Sequence, residues 1–102
     1  MGKKDDIKQL TNLISKSLRH KIGSIVNKDD FYASKYAKDA DAIMKEAKRA
    51  ASRQNWNNDD KLKIKQELKE KLFKELEEKE FLDDKKFDIM DEEMEKALLN
   101  LF

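Results

Sequence analysis

Apolar residues return every three or four positions through most of this 102-residue chain, the period of an α-helix with one buried side. Ile7, Leu10, Ile14, Leu18, Ile22 and Ile25 make the first such stripe and predict a helix over 5–26, with Asp5 and Asp6 at its positive end. The polar string Asn27-Lys28-Asp29-Asp30 then offers short side chains able to accept the free N–H groups of a helix start. A turn near residue 27 follows, and a second helix runs to about 53. Ala33, Tyr36, Ala37, Ala40, Ile43, Met44, Ala47 and Ala51 share one side of it, and the alanines allow a neighbouring helix to come close.

Gln54-Asn55-Trp56-Asn57-Asn58 breaks the period, and Asn58, Asp59 and Asp60 give a third helix a polar, acidic beginning. Leu62, Ile64, Leu68, Leu72, Phe73 and Leu76 fall within about half of its circumference at roughly 100° per residue. Phe81 falls outside that arc, so the helix is expected to end near 80. After Phe81-Leu82-Asp83-Asp84, Asp88 is the expected cap of a last helix that places Met90, Met94, Ala97, Leu98 and Leu101 on one face. Connections this short favour antiparallel neighbours. The expectation is an all-α fold, a small bundle of about four antiparallel helices over residues 1–102 as one helical domain. A helical hairpin that dimerises would use the same stripes, so a homo-oligomer fits the pattern as well.

Composition narrows this picture. The chain has no proline and two glycines, which removes the usual punctuation of β-hairpins. Charged residues make up 44%, yet the 38% of hydrophobic residues recur regularly, which favours folding over disorder. With no cysteine, disulfides and thiolate metal sites are excluded, and a cytoplasmic, intracellular setting is the expectation. No apolar run reaches the ~20 residues of a membrane span, and the charged beginning lacks the apolar segment of a signal peptide. Gly2 invites comparison with a myristoylation motif, but Asp6 stands where that motif has Ser or Thr. No membrane partner is expected.

The net charge of +1 conceals two halves of opposite sign. Residues 1–56 carry 13 Lys+Arg against 7 Asp+Glu, whereas residues 57–102 carry 10 against 15. Such blocks point to a polyanion-facing surface or to head-to-tail pairing between copies. On the second helix, Lys35, Lys38, Lys45, Arg49 and Arg53 lie within about 80° of one another, opposite the apolar stripe. Spaced over several turns, they suit successive phosphates, and Trp56 just beyond would offer a stacking face for a base. Asp39, Asp41 and Glu46 flank this ridge and reduce its field. The same ridge suits an acidic protein, another copy's C-terminal half included.

His20, the one histidine, lies away from the centre of the first stripe and is expected to be exposed. The nine residues Arg19-His20-Lys21-Ile22-Gly23-Ser24-Ile25-Val26-Asn27 loosely resemble the phospho-accepting helix of sensor histidine kinases, in which a small polar residue follows the histidine by four positions. Lys21 stands where that family places an acidic residue, and Ile25 where proline is common. The resemblance implies a histidine phosphoacceptor supplied by another protein, because no glycine-rich nucleotide-binding segment follows. The glutamates from Glu67 to Glu95 include no Glu-x-x-His pair of the kind that builds metal sites in bundles. Spacings such as Glu67 with Lys71 and Glu75 with Lys79 fit exposed salt-bridged faces instead. No Gly-x-Ser-x-Gly elbow or phosphate-binding glycine loop is present, so the expectation is no enzyme, no metal and no cofactor. Met90, Met94, Leu98, Leu101 and Phe102 read as core, or as an adaptable surface if uncovered. The leading functional reading is a non-enzymatic interaction or regulatory protein whose partner is another protein. Nucleic-acid binding on the second helix is the alternative.

Overall fold

Four helices, α1 (Lys3–Val26), α2 (Ala33–Ser52), α3 (Asn58–Glu77) and α4 (Lys85–Leu101), make up the structure, a computed structural model that describes residues 2–27, 31–79 and 84–102. No strand occurs among the described residues, and the all-α bundle is as expected. None of its helices is long and apolar enough to cross a membrane.

α1 starts two residues before the predicted position. The backbone N–H groups of Asp5 and Asp6 both donate to Gly2 O, so the first turn already contains Lys3 and Lys4. Lys3 then ties the start of α1 to the loop ahead of α3. Its ammonium pairs with Asp60 Oδ2 at 2.5 Å, donates to Asn55 O at 3.1 Å and lies 5.8 Å from the Trp56 ring centroid. The hydrogen bond from Lys3 holds the Asp60 carboxyl below the usual range.

The starts of α2 and α4 also differ from the expected ones. Asn27 belongs to the end of α1, where its N–H donates to Gly23 O at 3.0 Å, while Lys28, Asp29 and Asp30 lie outside the described residues. α2 begins after Tyr32, which makes no side-chain cap. α3 starts at Asn58 as expected, and Asn57 caps it. Asn57 Oδ1 accepts from the Asp60 N–H at 2.8 Å, and Asp60 Oδ2 accepts from the Asn57 N–H at 3.2 Å, a reciprocal capping box. α3 ends at Glu77; the predicted end at Glu80 and the turn residues Phe81, Leu82 and Asp83 lie outside the described residues. Asp88 does not cap α4 but sits within its first turn, because the helix already starts at Lys85. The nearly buried Lys86 anchors that start by donating from Nζ to Lys79 O at 2.9 Å.

α1 is the hub. It packs against each of the other three helices, α4 also packs on α3 and brushes α2, and α2 and α3 make no close approach. Ile7, Leu10, Ile14, Leu18 and Ile22 are buried, and they meet Ile64, Leu68, Leu72 and Leu76 of α3 with Met90, Met94 and Ala97 of α4 in one core. Directions alternate along the chain. Ser17 reaches Ala40 and His20 touches Tyr36, so α1 and α2 are antiparallel. Phe73 packs on Phe87, and Lys65 pairs with Glu95, which makes α3 and α4 antiparallel too.

Five residues placed on the apolar stripes are at the surface: Ile25, Tyr36, Leu62, Phe73 and Phe102. Ile25 is 38% exposed at the last turn of α1, beyond the reach of its neighbours. Leu62 and Phe73 are 55% and 46% exposed, because the fourfold spacing from Ile64 to Leu76 alone faces α1 and these two lie to one side, toward α4. Met90 and Met94 are buried, so the methionine stripe is core.

Candidate interaction surface

Small side chains set how α2 sits. Ala33, Ala40 and Ala47 recur every seven residues and, with Ala51, are its buried positions. Ser17 of α1 fits beside them and donates to Ala40 O at 2.7 Å. Because alanine and serine bring the helix backbones close, Ile43 and Met44 are half-buried at the flanks, as are Ala37, Asp39 and Ala50, and the remaining positions of α2 face solvent.

Lys35, Lys38, Lys45, Arg49 and Arg53 are all exposed on that outer side, and none makes an ion pair with a described residue. The other helices are paired in part. Three of the six cations of α1 are matched across the interfaces, Lys3 with Asp60, Arg19 with Glu75 at 2.5 Å and Lys21 with Glu93 at 2.9 Å, whereas Lys4, Lys8 and Lys16 make no ion pair with a described residue. Glu75 also accepts from Ser15 Oγ at 3.2 Å and lies 3.7 Å from Lys71, so it reaches back to α1 as well as along α3. The opposite charges of the two halves of the sequence therefore meet within one molecule at these three pairs, and no cation of α2 takes part. From 33 to 53 the chain has six cations against three carboxylates, which leaves this face positive.

Trp56 is not presented to solvent as a stacking platform. It is half-buried at one end of the core, with Nε1 donating to Ala51 O at 2.8 Å and its ring edge-on to Phe102, centroids 6.3 Å apart. Lys3 lies against the same ring. The tryptophan closes the end of the bundle where the loop before α3 crosses it.

Exposed aromatic rings occur at the opposite end of the ridge. Phe31 is 90% exposed, Tyr32 54% and Tyr36 37%, and their rings follow one another with centroids 5.2 Å and then 6.4 Å apart. Tyr36 continues the row onto His20 at 5.9 Å. Lys35 and Lys38 are within one turn of this row on α2. Sequence periodicity assigns Tyr36 to the apolar side of the second helix and is silent on Phe31 and Tyr32, which precede the helix. The readable signal was three aromatics within six residues next to a cationic ridge.

His20 is half-buried rather than exposed, because Tyr36 covers one side of its ring. Burial, and then the nearby charge of Arg19, push its basicity below the ordinary value; Asp39 opposes this, while Lys16 and Lys79 add to it. Ser24, the small polar residue four positions on, donates to Lys21 O at 2.6 Å within its own helix. Among the described residues no group of three or more His, Asp or Glu side chains is placed to hold a metal ion. A shallow apolar groove between Leu62 on α3 and Leu98, Leu99 and Phe102 on α4 is rimmed by Lys61, Lys65 and Glu95. Comparison of the chain with protein-family models, curated proteins and solved structures finds no match in any of the three.

Proposed function

We propose that this chain is a small non-enzymatic interaction protein that docks a partner with an anionic surface on the outer face of α2. The observation that supports it is the row of five cations on one exposed face of α2, none of them ion-paired with a described residue, beside an α1 in which three of six cations are matched by carboxylates of α3 and α4. Unmatched charge of one sign over several turns raises the local concentration of anionic partners and speeds their association. Folding gains nothing from such a row, since like charges along a helix repel weakly.

Immobilised heparin serves as a model polyanion. The double variant Lys45→Glu with Arg49→Glu should elute from it at clearly lower salt than wild type. Lys63→Glu with Lys69→Glu, which changes net charge equally on exposed positions of α3, should shift elution much less. Equal shifts in the two variants would show that net charge alone governs binding and would reject the docking face. Pull-down from native extract with the same pair of variants, with and without nuclease, then identifies the class of partner.

A further inference from the structure

The aromatic row at the end of the ridge points to the partner's chemistry. Building on the docking face above, we infer that the anionic partner is a single-stranded nucleic acid, its phosphates on the α2 ridge and its unpaired bases on Phe31 and Tyr32 at the ridge's N-terminal end.

Phe31 leaves 90% of a large ring in water, and Tyr32 and Tyr36 extend it into a continuous aromatic surface. Contiguous exposed apolar surface of this kind marks an interaction site. What accompanies it distinguishes between partners. Protein interfaces enrich tyrosine and arginine but deplete lysine from their centres. Here lysines, Lys35 and Lys38, are the cations nearest the rings, and Lys45 continues the ridge. Phosphates are neutralised by lysine and arginine alike, and base faces stack on any aromatic ring regardless of sequence. A duplex keeps its base faces inside, so rings standing out from the surface have nothing to stack on there; a single strand exposes them.

Dimensions agree. From Lys35 to Arg53 the ridge runs for 18 residues, or about 27 Å at ~1.5 Å per residue. That length matches about eight nucleotides of a stacked strand at ~3.4 Å per phosphate, within the roughly 4 to 16 typical of single-strand sites.

The test is fluorescence anisotropy with end-labelled 12-mers of oligo(dT) and oligo(U), and with a duplex of equal length, using the full chain. Single strands should bind more tightly than the duplex, and a preference between the two oligomers tells DNA from RNA. For three to five phosphates contacted at ~0.7 each, log K should fall with log salt at a slope of about −2 to −3.5. Tyr32→Ala and Phe31→Ser should each weaken binding about tenfold while leaving heparin elution in place, since stacking and charge are separate contributions. Both positions are exposed, and an unchanged helical circular dichroism spectrum verifies that the variants fold. Equal affinity for duplex and single strand, or no effect of the aromatic substitutions, would overturn the inference. No oligonucleotide binding with heparin retention still dependent on Lys45 and Arg49 would overturn it in favour of an acidic protein, leaving the docking face standing. Loss of that dependence as well would remove both.

Discussion

Lys86 carries a charge into a nearly buried position and keeps it satisfied by reaching a backbone carbonyl just past the preceding helix. Its stem packs beside Phe87, with Nζ 5.1 Å from that ring, while the ammonium donates to Lys79 O just beyond α3. A cation at this place also suits the negative end of the α3 dipole. Lys86→Met, which keeps the stem and removes the charge, should cost about 1 to 3 kcal/mol in urea denaturation, as expected for a hydrogen bond to a charged group; no loss would show that the contact contributes nothing. His20 makes a pH-dependent contribution of definite sign. The unfolded chain takes up this proton near the ordinary value of 6.5, whereas the fold, through burial and Arg19, requires a lower pH. Between those values the unfolded state holds more protons, so the contribution is complete above about pH 7 and fades as pH falls through 6.5 toward the lowered folded value. His20→Asn should therefore flatten the change in Tm between about pH 7.5 and 5.5, and an unchanged slope would reject the half-buried placement. Neither role was legible beforehand. Lys86 is one of two adjacent lysines in a charged stretch, and His20 is covered by Tyr36 from another helix.

At the scale of elements, helix existence was legible and only some helix ends were, because stripes depend on the period while ends depend on single side chains. The spacing from Ile7 to Ile22 and from Ile64 to Leu76 identifies two buried faces directly. Leu62 and Phe73 were assigned to the core because half a helix circumference was allowed for it, whereas α3 buries a narrower strip. The Asn57 cap was readable in principle, since Asp60 three residues later completes a reciprocal pair. Asp88 looked equally suitable, but the helix extends past it toward Lys85. The alanines of α2 were assigned correctly to close packing, and they allow a sharp test. Ala47 is fully buried against the core, so Ala47→Leu forces α2 away from its neighbours and should cost about 1 to 3 kcal/mol. Ala42→Leu, on the exposed side of the same helix, should change stability by no more than about 0.5 kcal/mol. Similar losses at both positions, measured by thermal unfolding, would show that α2 does not pack through its alanine side.

For the whole molecule, the decisive feature is which helix occupies the centre. Sequence blocks reveal a basic half and an acidic half, but not that α1 would lie between the acidic helices while α2 stays outside. Topology therefore favours the candidate surface: three cations of α1 find carboxylates on α3 and α4, and none of the row on the outer face of α2 does. The ridge residues were visible as a pattern, whereas the role of Trp56 depended on where the loop crosses the end of the core. A central α1 also makes a prediction for unfolding. Ile14 is fully buried midway along the stripe of the helix that packs most extensively on the others. Ile14→Ala should lower stability by about 2 to 5 kcal/mol through lost burial and the cavity left behind. The loss should reach every helix together. Trp56 fluorescence reports on one end of the bundle and far-ultraviolet circular dichroism on all four helices, so in urea the two transitions should coincide for wild type and move together in the variant. If the tryptophan signal instead kept its wild-type midpoint while helicity fell earlier, α1 would not be holding the bundle together, and α2 with its ridge would have to be treated as a unit folding separately from α3 and α4.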